Sequence, residues 1–189
     1  MVEQEKLLVK YQKIEGLKDW PLHLDVRENQ RIIKDYIARC TEELAEAAEY
    51  LNRKDQGETI DMELYHEEVI DALHFYLNVL LLTGKDNTAF DLDVSNLSME
   101  SPMLMPIYTD QLFWEITYHL FLARNELKSK PWKQTELPTD KTKFHQLLHK
   151  AGVMFNVLLF TNLKWDREEI YQQYMKKNKI NQFRQKSNY

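Results

Sequence analysis

Ile32, Ile33, Tyr36, Ile37, Cys40, Leu44, Ala47, Ala48 and Leu51 recur at intervals of three and four residues. That period puts them on one side of a helix predicted over about 27–53, with the charged residues opposite. Asp55-Gln56-Gly57 ends it. A more apolar helix is predicted over about 61–82, stopping at Gly84, a residue suited to a helix C-terminus. Residues 2–14 read as a short first helix. Leu17 to Asp25 reads as a loop, because Trp20 precedes Pro21 and the residue before a proline leaves the helical region. Residues 85–107, with Asn, Asp, Ser and two prolines, read as an irregular connection. Two further helices are predicted over about 108–130 and 140–162, divided by Pro131 and Pro138. Asp166 is placed to cap a helix running to about Lys177. The last dozen residues read as a polar, basic tail.

One string occurs twice. Asn78-Val79-Leu80-Leu81-Leu82-Thr83 returns as Asn156-Val157-Leu158-Leu159-Phe160-Thr161, an offset of 78. Carried back along the helices, that offset sets Gln146 against Glu68 and His149 against Asp71. The chain therefore reads as an all-α bundle of two helix hairpins, about 27–84 and 108–163, the second a degenerate copy. A C-terminal segment over about 166–189 completes it.

Composition agrees with this pattern. The 189 residues include 43% hydrophobic residues, enough for the core of one domain over 1–189. With 4 Gly and 5 Pro, a sheet-rich fold with many tight turns is disfavoured. The net charge of −5 argues against bulk nucleic-acid binding. A single cysteine, Cys40, excludes an intramolecular disulfide and suits a reducing compartment. The charged start MVEQEKLLVKYQK has no apolar signal-peptide core. Stretches such as Leu77 to Thr83 and Val153 to Thr161 are too short to span a bilayer. The expectation is a cytoplasmic protein with neither membrane nor nucleic acid as partner.

The chemistry is concentrated in two carboxylate pairs, Glu43-x-x-Glu46 and Glu68-x-x-Asp71. Residues three apart share a helix face, so each pair aims in one direction. Only residues 47–67 separate them, enough for a helix end, a short loop and a return. Four acids brought to one spot repel unless hard cations sit between them. All-oxygen ligation points to Mg²⁺, with Mn²⁺ as its substitute. Magnesium held by few carboxylates keeps room for substrate phosphates, which suggests phosphoryl chemistry. A lone Glu-x-x-Glu usually marks a solvated helix face. The second pair carries more weight, since the helix continues beyond it to Leu82 without a charge. His74 and Asn78 lie on the same stripe, either as core groups or as partners of a substrate. Lys176 to Lys186 holds five cations and no acid, and Lys54 closes the first acidic helix. Such a segment is commonly a solvated end, but next to a metal site its cations suit phosphates.

With these residues in view, the chain resembles a known family. Glu42-Glu43-x-x-Glu46 followed by Glu68-x-x-Asp71 is similar to the signature of the all-α NTP pyrophosphatases, the MazG-like superfamily. Asp71-x-x-His74-Phe75 and Lys177-Asn178-x-x-Asn181-x-x-Arg184-Gln185 resemble its dimeric dUTPase/dCTPase branch. The resemblance implies a homodimer and Mg²⁺-dependent hydrolysis of a pyrimidine deoxynucleoside triphosphate, dUTP or dCTP, to the monophosphate and pyrophosphate. It implies metal binding by Glu43, Glu46, Glu68 and Asp71, with Glu43 and Glu46 catalytic. Lys54, Lys177, Asn181 and Arg184 would hold phosphates, and Gln12, His74 and Asn78 the base or sugar. Were the chain phage-encoded, its compartment would be the host cytoplasm. The family's first-helix Asn is replaced by Glu15 or Gly16, and its Trp-rich stretch by Leu51 to Asp55. Uracil, cytosine, a modified pyrimidine and a different base preference within the superfamily therefore stay open.

Two other readings compete. A di-iron carboxylate protein wants two Glu-x-x-His pairs; Glu63-x-x-His66 supplies one, but Thr142 and Gln146 precede His145 and His149 where the second needs Glu. An acidic helical adaptor, or a nucleotide sensor without turnover, is the non-enzymatic alternative.

Overall fold

A short polar turn and two glycines decide how the main hairpin is drawn. The computed structural model describes residues 2–15, 20–85, 108–130 and 137–186, without the side chains of 10–15 and 185–186. Among the described residues there are six α-helices and no strand: α1 (Val2–Glu15), α2 (Arg27–Asp55), α3 (Met62–Leu82), α4 (Thr109–Glu126), α5 (Lys141–Asn156) and α6 (Arg167–Lys186). The all-α expectation holds. The expected irregular connection at 86–107 and the divider Pro131 lie outside the described residues.

α2 carries Arg53 and Lys54 in its last turn, where cations suit the helix dipole. The backbone N–H of Gly57 closes that end on the Lys54 carbonyl at 2.9 Å, with Gly57 at φ +88°. The Asp61 side chain then caps α3 by accepting from the Glu63 N–H. α3 stops at Gly84, φ +68°, and the Leu22 N–H donates to the Leu82 carbonyl at 2.7 Å. This packs the loop after α1 against the end of α3.

α2 and α3 lie antiparallel and close. Cys40, Ala47 and Ala72 are fully buried between them, and their small side chains let the backbones approach. The Cys40 thiol donates to the Ala72 carbonyl at 3.2 Å. α4 and α5 form the second antiparallel hairpin, with Lys143 against Glu126 at one end and Asn162 against Thr109 at the other. α2 packs on α4, joining the hairpins, while α1 and α6 lie on α3. Tyr76 crosses the core from α3, its hydroxyl donating to the Leu148 carbonyl of α5 at 2.9 Å.

Three expected boundaries move. α4 ends at Glu126 instead of near 130, because the backbone beyond it finds other partners. The Ser129 N–H donates to the Gln30 side chain at 2.7 Å, tying that segment to α2. The second copy of the repeated string does not stay α-helical: Val157–Asn162 widens to a π-helix, whereas Val79 to Leu82 remains α. The C-terminal tail is also helical. Asp166 caps α6 as expected, through the Glu169 N–H at 2.8 Å, but the helix runs on to Lys186. Tyr174, Lys177 and Asn178 are buried, so its docked face stabilises turns that composition alone marks as solvated.

The two positive-φ glycines separate conformational strain from crowding. At Gly84 an added Cβ would stand 2.7 Å from the Pro21 Cβ, while at Gly57 it would meet open space. Gly84→Ala should therefore cost about 2–3 kcal/mol and Gly57→Ala only about 1 kcal/mol. Urea unfolding midpoints measure both, and equal losses would show that contact with Pro21 is unimportant.

Candidate active site

The register of the first hairpin sets the acids face to face. Beyond Cys40 and Ala72, the next turns bring Glu43 of α2 against Glu68 and Asp71 of α3. Their carboxylate oxygens lie within 4.8 Å of one another, and all three side chains are half-buried. Glu46, one turn further along α2, is exposed at the rim yet close enough to act on both Glu43 and Glu68. Burial, reinforced by Asp71, Glu46 and Glu68, pushes the Glu43 carboxyl up to about 8. Burial also raises Glu68, with Glu46 and Asp71 adding to it. Asp71 is raised by burial too, but Lys177 holds it back. Such a cluster retains a proton or takes up a cation, and its all-oxygen donors suit a hard divalent ion.

α6 supplies the opposite charge. Lys177, only 7% exposed, reaches Asp71 at 2.7 Å and Glu67 at 3.3 Å. Burial disfavours its charge, yet Asp71 and Glu67 outweigh it and raise the ammonium's pKa. Arg184, two turns on and exposed, favours ionised Asp71 from a distance. Asn181 is half-buried one turn beyond Lys177. Lys54 stands apart. It is exposed at the loop end of α2, eleven residues past Glu43 and about 16 Å along the axis.

Glu67 was not among the residues singled out from sequence. Glu63, Glu67 and Asp71, each four residues from the next, form a second acidic line facing the lysines of α6, with Lys176 on Glu63. The spacing was visible, but only the position of α6 gives it a partner.

A polar chain adjoins the acids. Gln4 of α1 donates its amide N–H to Asn78 Oδ1 at 2.7 Å and accepts from the Tyr174 hydroxyl at 2.5 Å. Asn178 donates to that hydroxyl at 3.4 Å and accepts from Gln182 at 2.6 Å. His74 is 3% exposed and its ring lies 4.3 Å from that of Tyr174. Burial drives its pKa down to about 4, so the ring is neutral near pH 7. A first-helix glutamine thus does meet the stripe of His74 and Asn78, but it is Gln4; the side chain of Gln12 lies outside those described. Gln4 sits near the chain start among alternating charges, and nothing in the local pattern marks it as buried.

The second hairpin has no such acids. Gln146 and His149 line a cleft of about 670 Å³ with Lys85, Thr142, His145 and Lys150. The di-iron arrangement does not form among the described residues. The His66 ring packs on Trp165 with centroids 4.9 Å apart, and Glu63 is engaged by Lys176. The group of metal-competent side chains found there, Glu43, Glu68 and Asp71, contains no histidine.

A family model described as dUTPase matches residues 26–189. No curated protein and no solved structure matches the chain.

The acids make stability depend on pH with a definite sign. Glu43, held above its ordinary 4.5, stabilises the fold while protonated. That contribution is complete below its unfolded pKa and is lost as pH rises toward about 8. In EDTA, the thermal midpoint should fall over this range, and Glu43→Gln should flatten the fall. Mg²⁺ should restore more stability at the upper end, where the carboxylates are free to bind it. Circular dichroism melts measure this; a slope unchanged in Glu43→Gln would detach the effect from this cluster.

Proposed function

The chain belongs to the dUTPase family, of the all-α NTP pyrophosphatase type, and we propose that Glu43, Glu46, Glu68 and Asp71 hold Mg²⁺ for pyrophosphate release from dUTP. Family membership makes it a dUTP diphosphatase-type hydrolase. The observation that carries the finer reading is the three-carboxylate cluster with a buried lysine from another helix against it. Bound there, Mg²⁺ supplies charge neutralisation at the phosphate oxygens and a more acidic water, and Mn²⁺ can replace it.

The chain's own groups do the rest. Glu43, ionised once a cation offsets the neighbouring carboxylates, takes the proton of the attacking water. Lys177, already aligned on Asp71 and Glu67, offers its remaining donor to the phosphates, with Arg184 and Asn181 along the same helix. Lys54, at the hairpin's far end, is the weakest member of this set. Water adds across the bond between the α- and β-phosphates, giving the monophosphate and pyrophosphate.

Neutral His74 offers its ring to the sugar or base. Gln4 occupies Asn78 Oδ1 and leaves its amide N–H₂ to donate, which suits a carbonyl of uracil better than the amino group of cytosine. dUTP is therefore the favoured substrate, with dCTP second, and Gln12, expected from sequence to contact the base, stays part of this proposal. The homodimer expected from sequence has a suitable surface in the exposed stripe Trp114, Tyr118 and Phe121 on α4. No described helix is long and apolar enough to cross a membrane, and the cytoplasm is part of the proposal.

Pyrophosphate release measured separately from dUTP, dCTP, dTTP, dATP and dGTP tests the substrate. With Mg²⁺, dUTP should lead, and EDTA should abolish turnover. Asp71→Asn should lower kcat by about 10²–10³-fold, the range for losing one transition-state charge partner. Undiminished turnover by Asp71→Asn would sink the metal assignment, and purine preference the base assignment. Asn78→Leu should raise KM for dUTP about tenfold with a smaller change in kcat, since it removes a binding contact. An unchanged KM would remove Asn78 from the pocket.

A further inference from the structure

A second charged site lies at the other end of α2. Arg27, Arg31 and Lys34 follow one another at four and three residues on one helix face, opposite Arg124 of α4 and Lys130 beyond it. Together they line a cleft of about 460 Å³, within the range of small-ligand sites. One acid, Asp35, also lines it, and Arg39 engages that carboxylate at 2.9 Å. The wall is fixed. Ser129 accepts from Arg27 Nε on its hydroxyl at 3.1 Å and from Lys34 on its carbonyl, while its N–H is held by Gln30. We propose that this cleft binds a small ligand carrying linked phosphates, at a site separate from the acidic cluster.

The argument is one of charge and spacing. In a chain of net charge −5, five cations line one cleft in which, among the described residues, Asp35 is the one acid, and Arg39 engages it. They feel one another: burial, then Lys130 and Arg124, lower the Lys34 ammonium to about 8. A bound anion would relieve that repulsion. Three arginines offer planar forks that match phosphate oxygens in pairs, which a lone lysine cannot do. Arg27 to Lys34 spans about 10 Å along the helix, a length for a chain of phosphates more than for a single one. Lys34 precedes Glu43 by nine residues, about 13 Å along α2, so the acidic cluster takes no part. Cations alone hold the ligand, and no metal is needed.

The test uses the full chain in EDTA, where phosphates cannot bind through a metal at the acidic cluster. Inorganic tripolyphosphate is titrated calorimetrically at fixed ionic strength, and dATP in a parallel series. Saturable tripolyphosphate binding should appear, about tenfold weaker in Arg31→Gln and in Arg124→Gln, and unchanged in Asp71→Asn. The two arginines lie on different helices, and thermal melts of each variant exclude a folding loss. Equal affinity for both ligands would make the phosphate chain the recognised element; tighter dATP binding would make the ligand a nucleotide, and either supports the site. Absence of saturable binding to the unmodified chain overturns the proposal. So does binding that both arginine variants retain, or that Lys177→Gln abolishes.

Discussion

The close approach of α2 and α3 is the constraint on which the rest depends. Small side chains at Cys40, Ala47 and Ala72 bring the two backbones together, and the same register forces Glu43, Glu68 and Asp71 into mutual contact. Repulsion among those acids opposes the packing that creates them. It is tolerated because the flanking turns are apolar and buried, from Ile37 and Leu44 on one helix to Val69 and Tyr76 on the other. A buried apolar seam with an electrostatic flaw at one point is how a fold can store affinity for a cation.

Lys177 turns that flaw into a directional site. Its ammonium satisfies part of the charge on Asp71 and Glu67 and fixes α6 against α3. The same helix ties α1 through Tyr174 and Gln4. Acids, phosphate-seeking cations and the neutral groups around His74 are thus three consequences of one docking event. A shift of α6 by a single turn would separate them all.

The parts of this arrangement that depend on period alone were legible in the sequence. Ile33, Tyr36, Ile37, Cys40, Leu44 and Ala47 are buried as their spacing predicts, and three of the four paired acids, Glu43, Glu68 and Asp71, meet across the hairpin while Glu46 stays at the rim. What could not be read depends on partners distant in sequence. α6 looked solvated beyond Lys177 because its buried face is made of Tyr174, Lys177 and Asn178, which carry little hydrophobic signal. The segment after α4 is held at Ser129 by Gln30, ninety-nine residues away, and Gln4 acquires meaning only from Asn78 and Tyr174. Polar contacts across helices leave no period behind them.

α2 also carries its charges in an order that helix stability does not explain. Glu28 at its start and Arg53 and Lys54 at its end agree with the dipole. Apart from these the sense is reversed: Arg27, Arg31 and Lys34 occupy the N-terminal turns, while Glu42, Glu43, Glu46 and Glu49 follow toward the C-terminus. A helix placed only to fill a bundle gains nothing from that order. It separates a basic face, shared with α4, from an acidic face, shared with α3, on a single rigid rod. The second hairpin shows the contrast, for the positions that the repeat offset sets against Glu68 and Asp71 carry Gln146 and His149, which can hold no hard cation by carboxylates. Of the two hairpins, the one on which α6 docks carries the acids, so the cations of α6 and the carboxylates of α3 meet at one seam.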